Sequence, residues 1–440
     1  MSHKKIKLKK KLIIAVTLVC SVCSIWSSCK NDDNIDNSSI KYTDYKTAFN
    51  TDFIKEKGMD IDFSKFKVDE CTFDELYTFD INYGEALTDD EYVKSFETQL
   101  KKYIGNKYTR SKMYVTNAVN KQTGKYLSDD EKLIEKYNDN INVIDYKKIN
   151  SNNEYSLNLL YYEDLKNNYL FTYTIYGVFV EFRTGESENI CYNQNKTDVC
   201  HNMFSNFELK KRYKNIDMKS EDVLKTKLSL KDGKHTLKEI VDFTEKSINK
   251  LNKSVNSEFE YFVSGANILK VDDNLDGVSL PLSVRYKGVD VVTENTNGEG
   301  ISYDNAYSKI GKYEPSAFGG EVGLIYSNKL DSFNTNVFSN IADNPKKVDK
   351  IISLKSAMQK IDEDMASKIG LQAKTAKIKY LKVSDPNDLN QNNEAKEKAI
   401  PVWELSFLGH TGEFFVFYVD TQTGEYGFNI YNNDNFFEQS

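Results

Sequence analysis

"EFFVFYVDTQTGEYGFNIYN" (413–432) decides how the C-terminal part of this chain is read. Alternation of Phe415, Phe417 and Val419 with Val416, Tyr418 and Asp420 predicts a strand, and the run from Glu425 to Ile430 predicts its partner. Between them Asp420 can accept backbone N–H groups two residues on. Gly424 can take the positive φ that a three- to five-residue hairpin loop needs. The segment therefore reads as a structural turn carried by Asp420 and Gly424. As a paired acid and base, Asp420 and Glu425 lack any companion identifiable as catalytic.

Working back from the hairpin, Leu354, Met358, Ile361, Met365 and Ile369 recur at helical spacing, and Gly370 stops the helix. Strands are expected at 376–383, 400–409 and 413–420, with the polar 385–398 as a long loop. Upstream the succession recurs. Thr236-Leu237-Lys238-Glu239 is a capping box, and Leu237, Ile240, Val241, Thr244, Ile248 and Leu251 follow as an apolar stripe. "NILKV" (267–271) and "LSVRYKGVDVV" (282–292) come next, so Leu-Lys-Val at 269–271 is answered at 381–383. Two copies of about 110 residues indicate duplicated domains rather than a solenoid, whose units are shorter.

The half before them, 46–218, opens on "FKVDECTFDELYTFDIN" (66–82), which alternates. Thr88-Asp89-Asp90-Glu91 caps one predicted helix; Ser128-Asp129-Asp130-Glu131 caps a shorter one bearing Leu133, Ile134 and Tyr137. Strands are expected at 141–149, 155–162 and 169–183. The fold class is α+β: antiparallel sheets each covered by one or a few helices, the C-terminal half made of two similar helix-then-strands units.

The second unit resembles the PepSY domain over about 348–430. "ISLKSAMQKI", "IKYLKV", "PVWELSF" and "FYVDTQTGEYGF" match that family's layout, and the closing Val-Asp-x-x-Thr-Gly-Glu is its best-kept feature. The upstream copy ends "ENTNGEGISYD", without that motif, and is a degenerate version. The resemblance implies a small extracytoplasmic interaction module, associated in the family with restraining secreted peptidases or with cell-surface signalling. It supplies no catalytic residues and no cofactor.

The N-terminus agrees on location. Six lysines precede an apolar run from Leu12 to Ile25, then Trp26-Ser27-Ser28-Cys29, the layout of a secretory signal. Fourteen residues rise about 21 Å as a helix, short of a hydrocarbon core of about 30 Å. "IWSSC" resembles the lipobox of bacterial lipoproteins, with Trp26 where leucine is usual; the resemblance implies cleavage before Cys29 and a lipid on it. The expected organisation is signal peptide 1–28, polar tether 29–45, N-terminal domain 46–218, degenerate unit 219–345 and PepSY-like domain 346–440.

Without the signal's lysines, 53 basic residues face 66 acidic ones, and an acidic chain lacking basic blocks argues against nucleic acid as a partner. Cys191 and Cys200 bracket a polar octapeptide and can pair as a disulfide outside the cytosol or remain two thiols. With His201 they supply three zinc ligands at most, two of them adjacent, so no metal is expected. Asp272-Asp273-Asn274-Leu275-Asp276-Gly277 imitates the start of a calcium loop, but position 12 is Ser283 and the flanks read as strands; it is a turn. His235 and His410 read as turn residues, and "SAFGGEVG" (316–323) as loop.

The expected function is a lipid-anchored, non-enzymatic binding or regulatory protein on the extracytoplasmic face of the cell membrane. Its partners are the membrane, through Cys29, and a secreted or membrane protein. The alternatives are a cell-envelope hydrolase using an Asp/Glu pair and a solute-binding lipoprotein.

Overall fold

Strands Phe414–Asp420 and Tyr426–Tyr431 run antiparallel, with Phe414 opposite Tyr431 and Val419 opposite Tyr426. The computed structural model describes residues 42–55, 58–69, 73–83, 98–99, 102–103, 112–120, 134–136, 142–145, 155–163, 169–174, 180–183, 207–213, 217–254, 258–292, 307–313, 320–335, 340–389 and 395–431. The signal peptide, Cys29, Cys71, the capping boxes at 88–91 and 128–131, Cys191, Cys200 and His201 lie outside the described residues. Within them the chain is a mixed α+β fold with far more strand than helix.

The closing hairpin ends a meander of Gln372–Leu389, Ala395–Leu408, Phe414–Asp420 and Tyr426–Tyr431. Its helix starts at Ser353, whose hydroxyl accepts the Ser356 N–H, and runs from Leu354 to Ile361. Leu354, Met358 and Ile361 are fully buried. Trp403 Nε1 donates to Ile352 O at 3.0 Å and the Tyr426 hydroxyl to Asp364 at 3.0 Å, tying the helix to the sheet face that carries both rings. A π turn at Asp362–Ala366 interrupts the expected stripe. The extra residue in that turn carries Ala366, rather than Met365, into the interior.

This sheet is curled. Its edges include Tyr307–Ser308, paired with Tyr426–Tyr431, and Lys312–Tyr313, paired with Gln372–Leu389. Five strand intervals laid flat span about 24 Å. The four Cα steps from Ser308 to Lys312 reach about 14 Å at most. The concave face packs Leu381, Val383, Val402, Val416 and Tyr418 against Val292 and Tyr313 from the crossing segment. Gly427 is required where that segment crosses: a Cβ there would meet Tyr313 at 2.8 Å.

In the other large sheet, Phe259–Val263 and Ala266–Lys270 both pair with Asp276–Tyr286, which pairs in turn with Gly320–Leu324, and that strand with Ser332–Thr335. Helix Leu237–Lys253 begins with the capping box at Thr236 and Glu239, and buries Leu237, Ile240, Val241, Thr244, Ile248 and Leu251 as its spacing predicts.

Several sequence expectations are corrected. "SAFGGEVG" is not all loop: Gly320–Leu324 is a strand with Val322 and Leu324 fully buried, a period-two signal hidden by its glycines. The 385–398 loop is mostly strand. Ser384 is opposite Glu397 and Asp385 opposite Lys396, so the hairpin's two arms continue through this polar text. The short helix with Ile134 is replaced there by strand Ile134–Lys136, paired with Asn142–Asp145.

The boundary set at 218 is crossed by strand pairing. Leu76–Tyr83 pairs with Asn340–Val348 and Ala395–Leu408, and Val180–Arg183 pairs with Ser332–Thr335. The described fold begins at Tyr42, inside the expected tether, where Tyr42–Thr43 pairs with Ile351–Ile352.

Candidate functional site

Asp420 organises the closing turn. Its carboxylate accepts Gln422 N–H at 2.8 Å and the Thr423 hydroxyl at 3.0 Å, while its own N–H donates to Glu425 O at 2.8 Å. Burial pushes the carboxyl up, and those donors pull it back. Gly424 has φ +74°. The turn also fastens the lead-in to the helix: Ile352 N–H donates to Thr421 O at 2.9 Å, and Gln422 Nε2 to Lys350 O at 2.8 Å. Glu425 is exposed, so the two carboxylates do not converge on one buried point. Gly424→Val should cost about 1–2 kcal/mol through the left-handed penalty, and Asp420→Ala about 1 kcal/mol through lost turn bonds; thermal melts of the two variants check the order.

More unusual is the free edge of Gln372–Leu389. Residues 61–69 lie along its first part. Asp62 N–H donates to Leu371 O at 2.9 Å, Ala373 N–H to Asp62 O at 2.8 Å, and Asp69 N–H to Ala376 O at 2.9 Å. Lys67–Val68 pairs there in parallel, and farther along Val291 bridges Tyr380 in parallel too, beside a meander whose own strands are antiparallel. Side chains add selectivity: Gln372 Nε2 donates to the Asp62 carboxylate at 2.6 Å, and that bond, with Ser64 N–H, holds the Asp62 carboxyl below its usual range. Ile61 is buried, and Asp60 N–H donates to Asp362 at 2.7 Å from the π turn. Farther along, Lys312–Tyr313 takes the same edge.

In the other sheet one side of Phe259–Val263 is closed by a helix instead. Asn252 Nδ2 donates to Phe259 O. Asn249 exchanges two bonds with Tyr261, its Nδ2 donating to the carbonyl and its Oδ1 accepting the N–H, each at 2.8 Å. Glu245 accepts Val263 N–H at 2.8 Å. Three or four helix residues rise about 5–6 Å and two strand residues about 6.8 Å, so one polar stripe can serve alternate strand positions. Among the described residues no strand pairs with 259–263 on that side, whereas Glu208–Tyr213 pairs with the continuation Ala266–Lys270.

A half-buried ion cluster lies on the concave face of the curled sheet. Glu404 sits 3.1 Å from Lys379 and 3.4 Å from Lys377. Burial alone would push the Glu404 carboxyl up; the two ammonium groups outweigh it and hold it below the usual range. Burial likewise pushes Lys379 down, whereas Glu404 and Asp290 keep Lys377 charged.

One grouping escaped the sequence: Ser327, Asp232 and His235 meet at a surface turn. The Ser327 hydroxyl donates to Asp232 at 2.7 Å, and His235 Nε2 lies 3.4 Å from the other oxygen of Asp232. The order is wrong for nucleophilic catalysis, because the serine faces the carboxylate rather than the imidazole. Asp232 instead links two hairpin turns, also accepting Ser327 N–H at 3.1 Å. His410 sits in the Gly409–Glu413 turn, its N–H donating to Ile369 O at 3.2 Å. In the calcium-like loop Asp272 accepts Asn274 N–H, and Asp276 accepts Ser229 N–H and Lys210. Among the described residues no group of three or more His, Cys, Asp or Glu is arranged to hold a metal, and no helix is long and apolar enough to cross a membrane. Comparison of the chain with family models, with curated proteins and with solved structures finds no match in any of the three.

Proposed function

We propose that this chain is a lipid-anchored, non-enzymatic binding or regulatory protein of the extracytoplasmic membrane face, acting through protein or peptide contacts. The edge of Gln372–Leu389 carries the proposal, since it takes extended segments from three other parts of the chain, 61–69, 291–292 and 312–313, through backbone bonds. Strand addition to a sheet edge is a general mode of peptide recognition. The leader ending at Cys29 supports the anchor, and the acidic charge supports a partner other than nucleic acid.

The finer architecture belongs to the same proposal. Each helix is followed by a long first strand, a somewhat shorter partner, then a third and a fourth. In the upstream unit the first strand is 259–270, interrupted at 264–265. We read the two as copies of one unit, the second PepSY-like. On that alignment the upstream counterpart of the Asp420 turn lies at 325–331, not in 295–304.

Fatty-acid labelling tests the anchor. Wild type should carry the label, and Cys29→Ala should lose it and pass into the medium; label retained in the variant contradicts the anchor. Crosslinking on intact cells should then capture a protein reproducibly from wild type and not from the released variant.

A further inference from the structure

We propose that residues 58–69 are an exchangeable strand, occupying the edge of Gln372–Leu389 in place of an extended acidic–aliphatic peptide from a protein partner. Resting on the binding function above, this names the site and the ligand chemistry. Three observations converge on it.

First, the two sheets treat equivalent edges differently. In the upstream sheet Glu245, Asn249 and Asn252 from a helix close residues 259–263, and strand Glu208–Tyr213 pairs with the continuation at 266–270. The downstream edge has no such stripe and is satisfied by extended chain alone. An unprotected edge is a template for strand addition, and here the template is filled in cis.

Second, the occupant is lightly held. Of residues 58–69 only Ile61 is buried; the others are half-buried or exposed. Its backbone bonds to Leu371, Ala373 and Ala376 can be supplied by another extended chain, and its other contacts include Phe63 on Phe53 and an exposed Asp69–Lys219 pair. Segments with few buried contacts open at low free-energy cost.

Third, the remaining contacts spell out a preference. Ile61 fills an apolar site, and Asp62 receives the Gln372 amide with the Lys374 ammonium nearby. Asp362, turned out by the π turn, accepts the N–H groups of Asp60 and Ile61. The edge thus selects an extended segment with an aliphatic residue followed by an acid. A strand tethered in cis competes at an effective concentration of about millimolar, so the intact protein is self-restrained and a partner must outcompete its own chain.

The test is a fluorescence-anisotropy titration of the labelled peptide "GMDIDFSKFKVD" (58–69) against the mature full-length protein. Ile61→Asp removes the apolar hold of the cis strand. Asp62→Ala, which leaves Ile61 in place, guards against a fold effect of the first variant. Because apparent affinity scales with the open fraction, each variant should bind the peptide about tenfold or more tightly than wild type. A scrambled peptide should bind none of the three. Equal binding of native and scrambled peptides, or unchanged affinity in both variants, overturns the proposal. So does concentration-dependent dimerisation of wild type that closes the edge to free peptide, which would make a second copy the occupant. Cell crosslinking through a different surface overturns it too, while leaving the anchored binding protein standing.

Discussion

Trp403→Ala should lower the unfolding free energy by about 3–5 kcal/mol, the range for truncating a fully buried large aromatic. Trp403 is fully buried, opposite Ile378 and Val419 on the helix-covered face. Its indole N–H is bound to Ile352 O, and Phe49 packs edge-on at 4.9 Å. Truncation leaves a cavity, an orphaned carbonyl at the helix lead-in and a ring of the 42–55 segment without its neighbour. Trp403→Phe keeps most of the volume and should cost about 1–2 kcal/mol, mainly the unpaired carbonyl. Urea titration checks both: the midpoint should move in that order with the slope unchanged.

The second large effect belongs to Glu404. Glu404→Gln takes the nearest counter-charge from the half-buried Lys377 and Lys379, leaving them Asp290, and should cost about 3 kcal/mol, the low end for breaking a buried pair. Replacing all three together, Lys377→Met, Lys379→Met and Glu404→Leu, should be near neutral, because the desolvation of three ions disappears with their attraction. The pH dependence has a definite sign. With its folded pKa below the ordinary 4.5, Glu404 binds fewer protons folded than unfolded. Its contribution is present above pH 4.5 and fades as acid protonates the carboxylate. The gap between wild type and Glu404→Gln should therefore be widest near neutrality and narrow below pH 4.5 in paired urea titrations.

Periodicity made both long helices legible, since Leu237 to Leu251 and Leu354 to Ile361 are stripes on one face, and the Asp420–Gly424 turn declared itself by side-chain chemistry. The π turn was not legible, because Met365 fits helical spacing and only the bond between Asp362 and residues 60–61 reveals the extra residue. Glycine hid the Gly320–Leu324 strand, and charge hid the extension of the 372–408 hairpin. The ion cluster was illegible for a related reason: Lys377, Lys379 and Glu404 alternate with apolar residues as on any solvated strand face. Residues 289–292, distant in sequence, run alongside Tyr380 and bring Asp290 to the two lysines. The strand-accepting edge depends on pairing across roughly 300 residues, which no local pattern encodes.

Hydrogen exchange on the full-length protein, with and without excess peptide 58–69, tests the central claim of a strand-exchanging edge most directly. Exchange of strands predicts that the protein's own Asp62 and Asp69 amides lose protection when peptide is added, because the cis strand is released. The Ala373 amide should stay protected, because the incoming strand supplies the same carbonyl. Unchanged protection at Asp62 and Asp69 under saturating peptide would show that 58–69 is a fixed part of the fold, and would contradict the claim.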